Sequence, residues 1–267
     1  MLLLHLILVA LVQGITEFLP VSSSGHLILL PALTGLEDQG QVIDVAVHVG
    51  TLGAVMLYFR GETAQMLRGL PKVARRQIDD QDAWLALCLI LATIPVVIAG
   101  LLLKLTGLDA ALRSVTVIGW ATLIFGLVLY WSDQKGPTEK TSQGWTLKDA
   151  VTMGLWQVLA LIPGTSRSGI TITGARMLGY AREDAARLAM LMSIPTIAAS
   201  GILIGAEVVA TLDAQAARDA VIAALFAFVA ALGALHFMMR LLRSVSFTPY
   251  VIYRMCLGVA LLAYAYA

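Results

Sequence analysis

Apolar residues fill the chain in long blocks, and the places where the blocks are interrupted carry most of the information. Six blocks, roughly 43–60, 84–104, 114–132, 187–205, 220–238 and 247–266, are long and apolar enough to cross about 30 Å of hydrocarbon as helices. Two further pieces, 2–35 and 148–182, are apolar at both ends and polar in the middle. Each middle holds a helix breaker, Pro20 in one and Pro163-Gly164 in the other. Irregular backbone at membrane depth survives only where protein buries it or it lines a wet cavity. The pattern therefore predicts an all-α polytopic membrane protein. Its six transmembrane helices are accompanied by two re-entrant helix–loop–helix hairpins that enter and leave on the same side.

Composition fits this class and excludes others. Of 267 residues, 59% are hydrophobic and 13% charged, where a soluble domain carries about 25% charged residues. The net charge of +1 offers no field for nucleic acid. The apolar start, Met1 to Ala10, lacks the basic residues and cleavage pattern of a signal peptide and is expected to remain in the protein. Cys88 and Cys256 lie in separate apolar runs and read as core residues without a disulfide.

The distribution of basic residues gives an orientation. Arg60, Arg68, Lys72, Arg75 and Arg76 follow the first span, and Lys135, Lys140, Lys148, Arg176, Arg182, Arg187, Arg240 and Arg243 fall on the same side of the alternating layout. Only Lys104, Arg113 and Arg218 fall on the other. Positive residues concentrate in the cytoplasm, so both termini are expected outside. The first hairpin then dips from outside and the second from inside. Oppositely oriented copies form an inverted-topology repeat, with the ligand where the broken elements meet. The chain reads as one integral domain, 1–267, in halves of 1–133 and 134–267.

The polar passages are themselves similar. Aligning Gln13 with Gln157 brings Ser22-Ser23-Ser24-Gly25 onto Ser166-Arg167-Ser168-Gly169 without a gap. A fainter echo relates Gly50-Thr51 to Pro195-Thr196. Gln13 and Glu17 lie a helical turn apart and can hold a hard cation with water or phosphate oxygens. Ser22, Ser23 and Ser24 supply hydroxyls, and His26 stands three residues from Ser23 as a proton carrier. Pro163 to Gly169 reads as an anion cradle. Gly164 opens the loop, Thr165, Ser166 and Ser168 donate, a helix starts near Gly169, and Arg167 presents a fork suited to phosphate. An Arg167–Glu17 ion pair is compatible with this in the empty state. His5 and His236 read as structural, and His48 stays open because it immediately precedes Val49-Gly50-Thr51.

These residues resemble the undecaprenyl-diphosphate phosphatases, or bacitracin-resistance proteins. The resemblance rests on Gln13 to Glu17, Pro20 to His26, Pro163 to Thr171, and a last segment from Ser246 to Arg254. It implies hydrolysis of a polyprenyl diphosphate lipid to the monophosphate and inorganic phosphate, assisted by Mg²⁺ or Ca²⁺. The carrier lipid would return to peptidoglycan synthesis, and bacitracin resistance would follow. The resemblance carries functional roles to Glu17, Ser23, His26, Ser166, Arg167 and Thr171. The residues leave open whether the nucleophile is Ser23 activated by His26 or a water activated by Glu17 or His26. Gln13 stands where many members have Glu, so one negative metal ligand is missing. The implied location is the bacterial inner membrane with the site opening outward, and a homodimer is compatible with the reading. Two rivals fare less well. A second class of lipid phosphatase needs a His where Thr173 stands and an Asp where Met177 stands. A transporter would explain the repeat but not a Ser–His pair beside an Arg loop.

Overall fold

The computed structural model describes residues 3–35, 40–108, 112–209 and 213–267, and among them every named element is helical. In chain order these are α1 (Leu3–Thr16), α2 (Ser23–Thr34), α3 (Gly40–Tyr58), α4 (Arg60–Ala74), α5 (Gln81–Thr106), α6 (Val115–Lys135), α7 (Leu147–Val158), α8 (Arg167–Met177), α9 (Arg182–Val209), α10 (Ala214–Leu241) and α11 (Thr248–Tyr266). Short 3₁₀ turns precede α7 and follow it. Six helices are long and apolar enough to cross a membrane: α3, α5, α6, α9, α10 and α11. They coincide with the six expected blocks.

Local chemistry sets several boundaries. Asp80, Ser114, Thr146 and Asp213 each accept a hydrogen bond from the backbone N–H three residues on, capping α5, α6, α7 and α10. The lipid-facing surface keeps large apolar side chains, such as Ile98, Leu102, Val229 and Ile252, exposed to the surroundings. In a bilayer that exposure is solvation, not a fault.

The remaining helices are short. The 14 residues of α1, 12 of α7 and 11 of α8 reach about 21, 18 and 16 Å, less than the hydrocarbon thickness. Both outer ends of the α7–α8 pair sit together. The Tyr180 hydroxyl donates to Asp149 at 2.7 Å, Lys140 reaches the same carboxylate at 3.1 Å, and Lys140 and Tyr180 pair through their backbones. A buried Arg176–Asp133 pair, with both side chains fully enclosed, joins the end of α8 to the end of α6. Arg182 reaches the same Asp133 oxygen at 2.7 Å.

The two halves of the chain interlock. Helix α1 packs on α10, and α7 packs on α5, so each of these short helices leans on a long helix distant in sequence. Helices α6 and α11 pair directly. Backbones come very close: a β-carbon on Gly50 of α3 would sit 2.1 Å from the Ala224 carbonyl oxygen of α10. Small residues permit such approach, which replaces the hydrophobic effect as the source of contact inside a membrane. Helix α4 was not expected as an element. It is amphipathic, with Thr63, Met66 and Gly69 buried and Arg60, Arg68 and Lys72 outward. Cys88 is buried and Cys256, contrary to expectation, is exposed; both are free.

Candidate active site

The two polar passages meet tip to tip. Ser24 Oγ accepts from the Gly164 N–H at 3.3 Å, and Ser168 Oγ donates to the Leu19 carbonyl at 2.9 Å. The loops are also built alike. Ser22 and Ser166, aligned in sequence, both take a left-handed backbone, with φ of 73° and 69°. Each bonds the serine two residues on: Ser22 Oγ to Ser24 Oγ at 3.0 Å, and Ser166 Oγ to Ser168 Oγ at 3.1 Å. A non-glycine residue in this region is held there by its surroundings, and such strain gathers at functional loops. Immediately after each strained serine a helix begins, α2 at Ser23 and α8 at Arg167. Ser166 caps α8 by accepting from Gly169 N–H at 3.1 Å.

Between the tips lies a cavity of about 200 Å³, lined by Glu17, Ser22, Ser23, Ser24, His48, Ala160, Ile162, Gly164, Ser166 and Arg167. Two helix N-termini sit beside it, each contributing partial positive charge and free N–H groups. Arg167 donates to Glu17 Oε1 at 2.7 Å, and Ser23 donates to Glu17 Oε2 at 3.0 Å. Gln13 Nε2 donates to the same Oε2 at 2.8 Å. One carboxylate is thus shared by groups from both loops. Gly164 is required twice: its φ is +92°, and a β-carbon would meet the Ile118 carbonyl oxygen at 2.4 Å.

The expected site residues divide into two sets. Glu17, Ser22, Ser23, Ser24, Gly164, Ser166 and Arg167 line the cavity, with Gln13 buried behind it. Thr165, Ser168 and Thr171 do not reach it. Thr171 Oγ1 donates to the carbonyls of Arg167 and Ser168 inside α8, Ser168 holds the first loop, and Thr165 is wholly enclosed. His26 is also placed differently from the expected Ser23 partner. Its Nδ1 is 2.8 Å from the Ser22 carbonyl, so this nitrogen carries the hydrogen and donates. Its Nε2 then accepts from the Tyr253 hydroxyl at 2.6 Å, and the two rings stack 5.6 Å apart. The strained turn at Ser22 presents its carbonyl to the imidazole, and the ring is held against Tyr253 of α11.

Two residues gain importance. His48, left open by the sequence, lines the cavity with Nε2 3.1 Å from Gln13 Nε2. Arg254 is fully buried and donates to Thr122 O at 3.1 Å, Pro20 O at 3.3 Å, Gly164 O at 3.1 Å and Thr165 O at 2.9 Å. It fastens both loops from behind. The signal for it was a charge inside an apolar span with no acidic residue nearby in sequence.

Residues 6–260 match the family described as bacitracin resistance protein BacA. The chain is 67% identical to the undecaprenyl-diphosphatase of Dinoroseobacter shibae over 100% of both chains. It is 68% identical to that of Ruegeria pomeroyi over 99% of each. Identity to the undecaprenyl-diphosphatase of Hahella chejuensis is 46% over 98% of each chain.

Proposed function

The chain belongs to the bacitracin resistance protein BacA family, and from that premise we propose that the paired loops are the active site of an undecaprenyl-diphosphatase. The protein is a hydrolase that converts undecaprenyl diphosphate into undecaprenyl phosphate and inorganic phosphate, returning the carrier lipid to cell-wall synthesis. Bacitracin resistance accords with the family's name. The observation that carries the assignment to this site is a single polar cavity holding a serine hydroxyl, an arginine fork and two helix N-termini.

In this reading the terminal phosphate enters between the helix ends, where Arg167 turns from Glu17 to the phosphate oxygens. Ser23 Oγ, oriented by Glu17 Oε2 at 3.0 Å, attacks the terminal phosphorus while its proton passes to an oxygen of that phosphate. The bond to the bridging oxygen breaks and the lipid monophosphate leaves as an anion. Water then cleaves the seryl phosphate and regenerates the hydroxyl. A divalent cation, Mg²⁺ or Ca²⁺, would neutralise charge on the phosphates. Glu17 and Gln13 would hold it, and the buried, unpartnered Oε1 of Gln13 supports that fit. His26 and Tyr253 act as positioning groups for the turn at Ser22.

The lipid tail has a route. A second, largely apolar groove of about 270 Å³ adjoins the cavity at His48, lined by Val45, Val49, Leu52, Ile197, Ala198, Gly201 and Ile202. We place the first isoprene units there, between α3 and α9. We further read α1–α2 and α7–α8 as re-entrant hairpins of opposite orientation, supported by their short helices and matching strained serines. Both termini and the mouth of the site then face outward, at the inner membrane of a bacterium. The distribution of Lys and Arg supports this.

Purified protein given undecaprenyl diphosphate in detergent tests the function directly. Phosphate release is expected, falling about 10³-fold in Ser23→Ala. No release with any divalent cation would overturn the assignment. Unchanged release in Ser23→Ala would transfer the attack to water.

A further inference from the structure

Three polar side chains converge where α1 meets α3, and one of them is incompletely satisfied. Gln13 is fully buried, yet its Oε1 has no hydrogen-bond partner. Its Nε2 bridges Glu17 Oε2 at 2.8 Å and His48 Nε2 at 3.1 Å, and the last two atoms are 3.9 Å apart. An orphaned carbonyl oxygen inside a protein is costly. The amide nitrogen meanwhile serves two acceptors.

The state of His48 is fixed by its own helix. Its Nδ1 lies 2.7 Å from the Asp44 carbonyl, so Nδ1 carries the hydrogen. Nε2 is left as a lone pair, aimed at Gln13 and Glu17 beside the cavity. This is the arrangement usual for a ligating histidine, in which the far ring nitrogen donates to a carbonyl.

A half-turn of the Gln13 amide exchanges its nitrogen and oxygen. The triangle then holds an amide oxygen, a carboxylate oxygen and an imidazole lone pair, three acceptors with no hydrogen between them. They repel one another unless a cation lies among them. Its edges of 2.8, 3.1 and 3.9 Å bracket the spacing of neighbouring ligands around such an ion. For metal–oxygen bonds of 2.0–2.1 Å in an octahedron, that spacing is about 3 Å. The adjoining cavity leaves room for water and phosphate oxygens. Among the described residues no group of three His, Cys, Asp or Glu side chains could hold a metal, so the amide is needed to complete the set.

We infer that His48 is the third protein ligand of the divalent cation, through Nε2, beside Gln13 Oε1 and Glu17 Oε2. The inference rests on the proposed phosphatase reading for the presence of a cation at this site. Its consequence is a shift in metal preference. One imidazole among oxygens favours Mn²⁺ and its neighbours in the first row over Ca²⁺, because imidazole is the softer donor.

Mn²⁺ alone, added to the purified full-length protein, serves as probe. Electron spin-echo spectroscopy is recorded with the histidines unlabelled and then ¹⁵N-labelled. Coupling to a directly bound imidazole nitrogen is expected, vanishing in His48→Gln and persisting in His26→Gln. The affinity for Mn²⁺ should fall about tenfold or more in His48→Gln, with that for Ca²⁺ changing little. Absence of Mn²⁺ binding, bound Mn²⁺ without histidine coupling in the unchanged protein, or coupling that survives His48→Gln, each overturns the assignment. Should His48→Gln fail to fold, the labelled unchanged protein still decides whether an imidazole is bound. Phosphate release from the same preparation separates the two claims. Turnover without histidine coupling removes only His48, whereas no turnover with any cation removes the phosphatase reading itself.

Discussion

Arg254 illustrates what a single buried charge can do when no carboxylate answers it. Its guanidinium is neutralised by carbonyl dipoles, and it spans Pro20 of the first loop and Gly164 and Thr165 of the second. Lysine carries the charge but not the planar fork that bridges separate acceptors. Arg254→Lys is therefore expected to lower turnover about tenfold or more while the protein still folds, measured as phosphate release alongside thermal unfolding in detergent. Near-normal turnover would mean that the loops hold each other without it. At this scale the sequence was legible where chemistry is rare in a membrane. Glu17, Ser23 and Arg167 stood out as polar groups in apolar surroundings, and the structure brings them to one cavity. It was misleading where backbone geometry decides. Thr171 belongs to the same motif, but an i to i−4 bond to Arg167 O occupies its hydroxyl. The Ser22 carbonyl captures the ring of His26, while the Asp44 carbonyl orients that of His48, which lines the cavity. Both bonds link i to i−4, a spacing open to any helical histidine, so the sequence does not single them out.

At the scale of elements, the long helices were easy to read because apolarity over a span's length admits few alternatives. Helix α4 escaped notice because amphipathic, charged helices resemble connecting segments in composition. The close pairing of α3 with α10 turns on Gly50, and that contact is long-range and invisible in a local pattern. The knot between α6 and α8 offers a sharper test. Asp133 accepts from Arg176, Arg182 and the Phe247 backbone N–H. Asp133→Ala leaves a fully buried arginine without its counter-charge, which is expected to cost about 3–5 kcal/mol. Thermal unfolding in detergent should show a clear drop in Tm, while a change within error would mean that the surrounding carbonyls suffice for Arg176. The Gly50→Leu substitution should likewise separate α3 from α10 and lower Tm, since the added carbons have only backbone to meet.

For the whole molecule, the interlocking of halves explains how two weakly similar passages can share one site. Each short helix lies against a long helix from the opposite half of the chain, α1 on α10 and α7 on α5, and the loops that follow meet. Sequence alone suggested a repeat through its matching serines but not this exchange of partners, which depends on packing between distant segments. The proposed sidedness rests on the basic residues and can be checked in intact cells. A single cysteine introduced within 61–82 should resist an impermeant thiol reagent, and one replacing Asp213 should react; the reverse would invert the proposed topology. The central claim is that one phosphatase site is assembled from both loops. Phosphate release from undecaprenyl diphosphate, measured for Glu17→Gln and Arg167→Lys in parallel, tests it most directly, because each variant alters one loop of the pair that meets at 2.7 Å. Both are expected to lose activity, Arg167→Lys about tenfold or more and Glu17→Gln nearly completely. Full activity in either folded variant would contradict a site built from both.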